Sequence, residues 1–502
     1  MTTASTPTLD QIQTFEGRYP KQLWSLFFSE MWERFSFYGM RGVLTFFMVN
    51  QLAMAEKTAN LQYGATQAFV YAFTFIGGLF ADKILGFRRS LFWGGSLMIL
   101  GSLILAVNPK DFFFIGIAFN IVGTGFFKPN ISTMVGQLYK DGDARRDAGF
   151  SLFYSGINVG AFLGGYICVA LGKSESLGAY SWNACFAAVA LVMTIGVAWF
   201  GVTRHSLGPI GLKPTAGTPD EAKSAWKEYA TYVGSLAIIP LIVVMVSKTE
   251  YTDYFMYTIG PLTLVYIGYE MTKFSSVERK KLMAAMVFVI FSIIFWAFFE
   301  QSGGSLSLFA ANNLKPWELG AVKVDPNGVN NAANSIFVII FAPILGLAWV
   351  WLAARNKEPN TVVKFGMGFL FLAGAFYVFY ACRFFADAAG ISSLGLFTFA
   401  YFVITFGELC LSPIGLSIMT KLSPKPLQGV MMGMWFLASA YGQYVAGLLG
   451  AGMTSPNENA TALDKLQSYT AGYGQLAIYA LVAGVVLIAI SPGVRKLMGD
   501  VK

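Results

Sequence analysis

The chain has 502 residues, 55% of them hydrophobic and 12% charged, with a net charge of +8. A soluble chain of this length carries roughly a quarter of its residues as charged groups, so the composition excludes a water-soluble globular protein and points to lipid as the solvent. The single histidine, His205 in a basic loop, and the scattered Cys168, Cys185, Cys382 and Cys410 exclude a histidine metal cluster, a disulfide framework and a cysteine metal site.

The opening segment is polar, with no apolar core of the kind a signal peptide has, so no cleavable signal and no appended soluble domain are expected. Apolar runs long enough to cross hydrocarbon predict spans at 24–50, 62–83, 89–107, 112–137, 148–171, 182–203, 229–247, 252–270, 282–310, 331–353, 365–386, 394–420, 427–450 and 470–493. With both termini cytoplasmic, the inner segments hold 24 lysines and arginines and the outer ones eight. This positive-inside bias supports the even span count and accounts for the net charge better than nucleic-acid binding does.

The first span contains Glu30, Glu33, Arg34, Phe37, Tyr38 and Arg41, which at helical spacing fall in one arc of about 140°. Such a stripe must face the interior of a bundle. The second span carries Tyr71 and ends in Gly77-Gly78-Leu-Phe-Ala-Asp82-Lys83-Ile-Leu-Gly86, followed by Arg88 and Arg89. This reads as a tight inner loop in which Asp82 and the arginines hold neighbouring helices, a gating element. In the fourth span, Lys128 precedes Pro129 after Gly123 and Gly125, and its buried ammonium suits a carboxylate. Asn158 is an uncharged candidate in the fifth.

The segment 204–228, rich in glycine, proline and charge, reads as a cytoplasmic linker. Six spans precede it and eight follow, the first two of which carry no strongly ionic interior residue. Glu300 then stands among aromatics in 282–310, with Asn334 in 331–353. Glu408, before Ser412 and Pro413, lies in 394–420, and Trp435 and Ser439 in 427–450. Charges thus recur in the first and fourth spans of each half once 229–271 is set aside. This predicts an all-α membrane protein: a six-helix bundle over 1–203, an inserted transmembrane hairpin over 229–271 and a second six-helix bundle over 272–502, a build common among secondary transporters.

Seven ionisable residues sit well inside these spans: Glu30, Glu33, Arg34, Arg41, Lys128, Glu300 and Glu408. Each costs roughly 2.5–3.5 kcal/mol at the bilayer centre unless it meets water or a partner. Four acids against three bases leave a carboxylate to bind a proton. Glu300, poised between desolvation and an arginine partner, has the setting of a proton switch, and Glu408 is placed to receive an amine.

Together these motifs resemble the proton-coupled oligopeptide transporter (POT or PTR) family of the major facilitator superfamily. Its first-helix E-x-x-E-R-F pattern matches Glu30, Glu33, Arg34 and Phe35. Its F-Y-x-x-I-N-x-G-A signature matches Phe153 to Ala161, the superfamily G-G-x-x-A-D-x-x-x-G loop matches Gly77 to Gly86, and F-F-K-P-N matches Phe126 to Asn130. The resemblance covers essentially the whole chain and implies a major facilitator fold of 14 transmembrane helices in a bacterial inner membrane. It also implies proton-driven import of di- and tripeptides, and of peptide-like drugs, by a monomer that needs no cofactor. Carried to matching positions, the family's roles put Arg34, Arg41 and Lys128 at the peptide carboxylate and Glu408, Asn158 and Asn334 at its amine. Tyr38, Tyr71, Trp435 and Ser439 would line side-chain pockets. Glu30 and Glu33 would join proton coupling, and Glu300 would pair with Arg41 as a gate. Phe37 replaces a tyrosine of many members, and the second-helix histidine of animal members has no counterpart, leaving coupling to carboxylates.

The main rival is another anion, such as nitrate, carried on the same scaffold. A peptide receptor would be expected to carry a signalling domain, and no nucleophile–base set suggests an enzyme.

Overall fold

The computed structural model describes residues 7–140, 142–143, 145–320, 322–411, 415–457, 459–499 and 501; Ser412, Pro413 and Lys502 lie outside them. Helices dominate. A short α1 (Leu9–Gln13), closed by a Thr8–Gln11 capping box, leads into α2 (Lys21–Asn50), α3 (Glu56–Phe80), α4 (Phe87–Val107), α5 (Phe113–Gln137), α6 (Arg145–Gly172) and α7 (Ser181–Thr203). After the linker come α8 (Glu221–Ala237), α9 (Ile239–Ser247) and α10 (Thr249–Met271). The remainder is α11 (Ser276–Phe299), α12 (Ser305–Asn313), α13 (Pro326–Ala353), α14 (Thr361–Ala381), α15 (Leu394–Leu411), α16 (Gly415–Leu422), α17 (Gln428–Gly452) and α18 (Ala462–Met498). Short strand pairs join Leu314–Lys315 to Ser392–Ser393 and Trp317–Leu319 to Val322–Val324.

Among the described residues, ten helices are long and apolar enough to cross a membrane. α2, of 30 residues, is not among them, because its middle carries Glu30, Glu33, Arg34 and Arg41. Its burial therefore rests on packing partners rather than on lipid. Two spans expected as single helices are divided. A 3₁₀ turn at Glu300–Gly303 separates α11 from α12, and Ile238 parts α8 from α9. Polar side chains and short turns at these points are invisible to a count of apolar residues. The expected span 394–420 includes residues 412–414, which lie outside the described residues.

Packing groups the chain into two units: Met1–Val43 with Phe69–Ser247, and Leu44–Ala68 with Lys248–Lys502. In the first, Leu91, Met98, Phe127, Met134, Phe153, Met193 and Phe200 form a buried core. The helices close on each other through glycine. A Cβ on Gly77 would lie 2.2 Å from the Gly125 carbonyl oxygen, which binds α3 directly to α5. Gly86, at φ 74°, turns the chain out of a π-helical turn (Ala81–Leu85) into α4. α8 belongs to this unit: Trp93 on α4 donates to the Ser235 hydroxyl at 2.9 Å and packs against Tyr232, while Arg89 pairs with Glu228. At the start of α6, Arg145 bonds Asp143 of the preceding loop at 2.7 Å and holds that carboxyl below its ordinary value.

In the second unit, Phe309, Phe379, Phe397, Tyr401, Tyr469 and Tyr473 pack as one buried aromatic cluster. At its edge, Glu56 at the start of α3 receives Lys465, 2.7 Å away, the Tyr469 hydroxyl and the Asn312 amide. α10 docks on α17 through Tyr441, which donates to the Met256 carbonyl, and Tyr444, which donates to Asp253. Elsewhere apolar side chains point outward: Ile340, Ile344, Leu347, Val350 and Trp351 on α13 are all exposed, as a lipid-facing helix requires. All four cysteines are buried and unbridged.

Candidate functional site

In the first unit, the acidic and basic groups of α2 converge. Arg34 reaches both acids, with Nε 2.7 Å from Glu30 Oε1 and 3.1 Å from Glu33 Oε2. All three residues are at most 4% exposed. Only the Glu30 contact has hydrogen-bond geometry, and both Glu33 oxygens lack a hydrogen-bond donor among the described residues. The interaction with Glu33 is thus a charge contact, on which an ion pair away from water depends strongly.

The aromatic residues bridge these charges to α5. The buried Phe37 ring lies 5.9 Å from the Arg34 guanidinium and 5.0 Å from Lys128 Nζ, and Lys128 also sits 4.2 Å over Tyr71. Arg41 stacks at 5.6 Å on Tyr38, whose ring meets Phe37 edge-on. A cation over a ring gains electrostatic stabilisation from the ring's face, and Lys128 and Arg41 are each held in part this way. The phenylalanine at position 37 thus acts as a platform between two cations, a role that needs no hydroxyl.

The fifth-helix signature explains how the stripe is placed. A Cβ on Gly160 would lie 2.1 Å from the Met31 carbonyl oxygen and 2.9 Å from Arg34 Cβ. Glycine there lets α6 sit directly on the backbone carrying Arg34. Asn158, on the same helix, is buried and donates to the Tyr154 carbonyl at 3.0 Å. Asp82 is exposed and forms no ion pair among the described residues. Arg88 donates instead to the carbonyls of Ile210 and Gly208.

In the second unit, Glu408 and Asn334 are joined: the Asn334 amide donates to Glu408 Oε2 at 2.8 Å. Two residues not singled out from sequence extend this contact. The buried Thr405 hydroxyl lies 2.8 Å from Asn334 Oδ1, and the Tyr401 hydroxyl donates to Asn330 Oδ1 at 2.7 Å. Asn330 in turn donates to the Ser302 carbonyl, in the turn that Glu300 opens. Glu300 itself is 5% exposed. The indole of Trp435 lies against Gly415, and Ser439 donates to the Trp435 carbonyl at 3.3 Å. Arg41 belongs to the first unit and Glu300 to the second.

The nearly all-helical chain, with ten helices able to cross a membrane and a buried ionic cluster on α2, is a multi-span membrane transporter, as its relatives are, and not an enzyme. A family model described as "PTR2: POT family" matches residues 88–471, and the chain belongs to the POT family. It is 34% identical over 514 residues to "Peptide transporter YePEPT" of Yersinia enterocolitica subsp. palearctica, covering 97% of each chain. It is 31% identical over 509 residues to a "Di-/tripeptide transporter" of Lactococcus lactis subsp. cremoris, covering 98% of each. The crystal structure of a peptide transporter POT in complex with sulfate matches with a TM-score of 0.81 and 32% identity, over 98% of this chain and 99% of that one. A mutant of that transporter in complex with alafosfalin matches equally well, over 98% and 100%. The fold is that of the major facilitator-type transporters.

Proposed function

We propose that this chain is a proton-coupled symporter that imports di- and tripeptides by alternating access. The observation that carries the reading is the division of charge within the membrane spans. Arg34, Arg41 and Lys128 share the first unit with Glu30 and Glu33, leaving one cation in surplus. The interior acids Glu300 and Glu408 lie in the second. A zwitterionic peptide has the complementary pair of ends. In this reading its carboxylate goes to Arg34, Arg41 and Lys128, and its amine to Glu408 with Asn334 and Asn158. Tyr38, Tyr71, Trp435 and Ser439 line roomy side-chain pockets. Binding through the invariant termini gives broad selectivity, extending to peptide-like drugs.

The seven interior groups together carry one negative charge in excess when all are ionised, which a bound proton neutralises. Glu30 and Glu33, competing for one guanidinium, and Glu300, through exchange with Arg41, are the groups we assign to coupling. The positive-inside count supports a bacterial inner-membrane location with both termini cytoplasmic, and we assign function to the monomer. The names of the relatives support peptides as cargo. The test is uptake of labelled dialanine into proteoliposomes. Competition by unlabelled di- and tripeptides but not by nitrate is expected. Competition by nitrate with none by peptides would reassign the cargo.

A further inference from the structure

Between α13 and α15 runs a polar seam that the assigned roles leave unexplained. Asn330 and Asn334 stand one turn apart on α13, and Tyr401, Thr405 and Glu408 follow one another on α15. Thr405 is completely buried, and its hydroxyl lies 2.8 Å from Asn334 Oδ1 and 2.7 Å from the Tyr401 carbonyl of its own helix. Asn334 presents a carbonyl on one side of its amide and an NH₂ on the other, and only the NH₂ suits an ionised carboxylate. A reversed amide would set its oxygen against Glu408. When its one proton is directed at Oδ1 rather than at the Tyr401 carbonyl, the Thr405 hydroxyl reinforces the orientation in which the Asn334 NH₂ faces Glu408.

We propose that Thr405 is a positioning residue for substrate binding, whose hydroxyl fixes the Asn334 amide so that its NH₂ holds Glu408 Oε2 and aims the carboxylate at the peptide amine. A carboxylate accepts several hydrogen bonds, and the Asn334 NH₂ on Oε2 is one that sets its direction. The neighbouring Tyr401–Asn330 bond, of 2.7 Å, anchors the same two helices one turn away and keeps the register in which Thr405 meets Asn334, while Asn330 ties α13 to the Glu300–Gly303 turn through the Ser302 carbonyl. This inference rests on the reading of Glu408 as the amine site.

The test compares Thr405→Val, Thr405→Ser and Glu408→Gln in the full-length protein reconstituted in liposomes, with dialanine counterflow as the assay. Valine matches threonine in shape and removes only the hydroxyl; serine removes only the methyl. The half-saturating dialanine concentration should rise about fivefold in Thr405→Val, the equivalent of about 1 kcal/mol, with maximal rate within twofold of the parent. Thr405→Ser should restore the parent value. A parental half-saturation in Thr405→Val, a loss confined to maximal rate, or equal impairment of the serine variant would overturn the proposal. If Glu408→Gln binds dialanine like the parent, the amine-site reading itself fails. If Glu408→Gln loses affinity while Thr405→Val does not, only the role of Thr405 falls.

Discussion

The close seat of α6 on α2 is the feature on which the placement of the ionic stripe depends, and replacing Gly160 by alanine tests it. The added Cβ would meet the Met31 carbonyl oxygen at 2.1 Å, while ordinary contact begins at 3.4 Å. Neither neighbour yields easily: one is backbone, and the other, Arg34 Cβ at 2.9 Å, is the stem of the central guanidinium. The helices must part by about 1 Å, a displacement that costs on the order of 100-fold where function depends on fixed geometry. The overpacking itself costs about 1–3 kcal/mol. Gly160→Ala should therefore melt earlier in detergent and lose at least about tenfold in dialanine uptake per folded molecule. Gly268, exposed on α10 with nothing within 4 Å of its ideal Cβ, is the control. Alanine there should leave uptake unchanged and stabilise slightly, by at most about 1 kcal/mol of helix propensity. Parental uptake and melting in Gly160→Ala, or equal damage in Gly268→Ala, would refute the packing argument.

Two further outcomes follow from named contacts. Tyr71→Phe keeps the ring under Lys128 and should leave half-saturation for dialanine within twofold, whereas Tyr71→Leu removes it and should raise that value about fivefold, for an interaction of ~1 kcal/mol. At the linker, Trp93→Ala should speed tryptic cleavage of 204–228 several-fold, because it strips both the Tyr232 packing and the Ser235 bond from α8. Glu228→Gln should change it less than twofold, since an ion pair with Arg89 at the surface is worth only ~0–1 kcal/mol.

Much of the site was legible because charge in lipid is conspicuous. The i, i+3, i+4 spacing of Glu30, Glu33 and Arg34 set them on one face of a helix, and the structure joins them. Glu408 and Asn334, far apart in sequence, were candidates because a carboxylate and an amide are rare in apolar spans, and they meet at 2.8 Å. Thr405 and Tyr401 stayed hidden. A hydroxyl in an apolar run adds little to any pattern, and its meaning comes from partners some 70 residues away on α13. The loop after α3 marked a tight turn correctly at Gly86, but its arginines bond carbonyls and Glu228, partners that charge pairing within the motif does not suggest. The divided spans escaped for a related reason. Apolar runs report where lipid is tolerated, and α18, at 37 residues, extends well past the apolar stretch 470–493.

The measurement that bears most directly on the account is dialanine accumulation in proteoliposomes under an inward proton gradient. The wild-type protein should concentrate dialanine inside and lose that ability when a protonophore collapses the gradient, while Glu300→Gln should exchange dialanine in counterflow yet accumulate none. Uptake indifferent to the gradient, or uphill accumulation retained in Glu300→Gln, would contradict it.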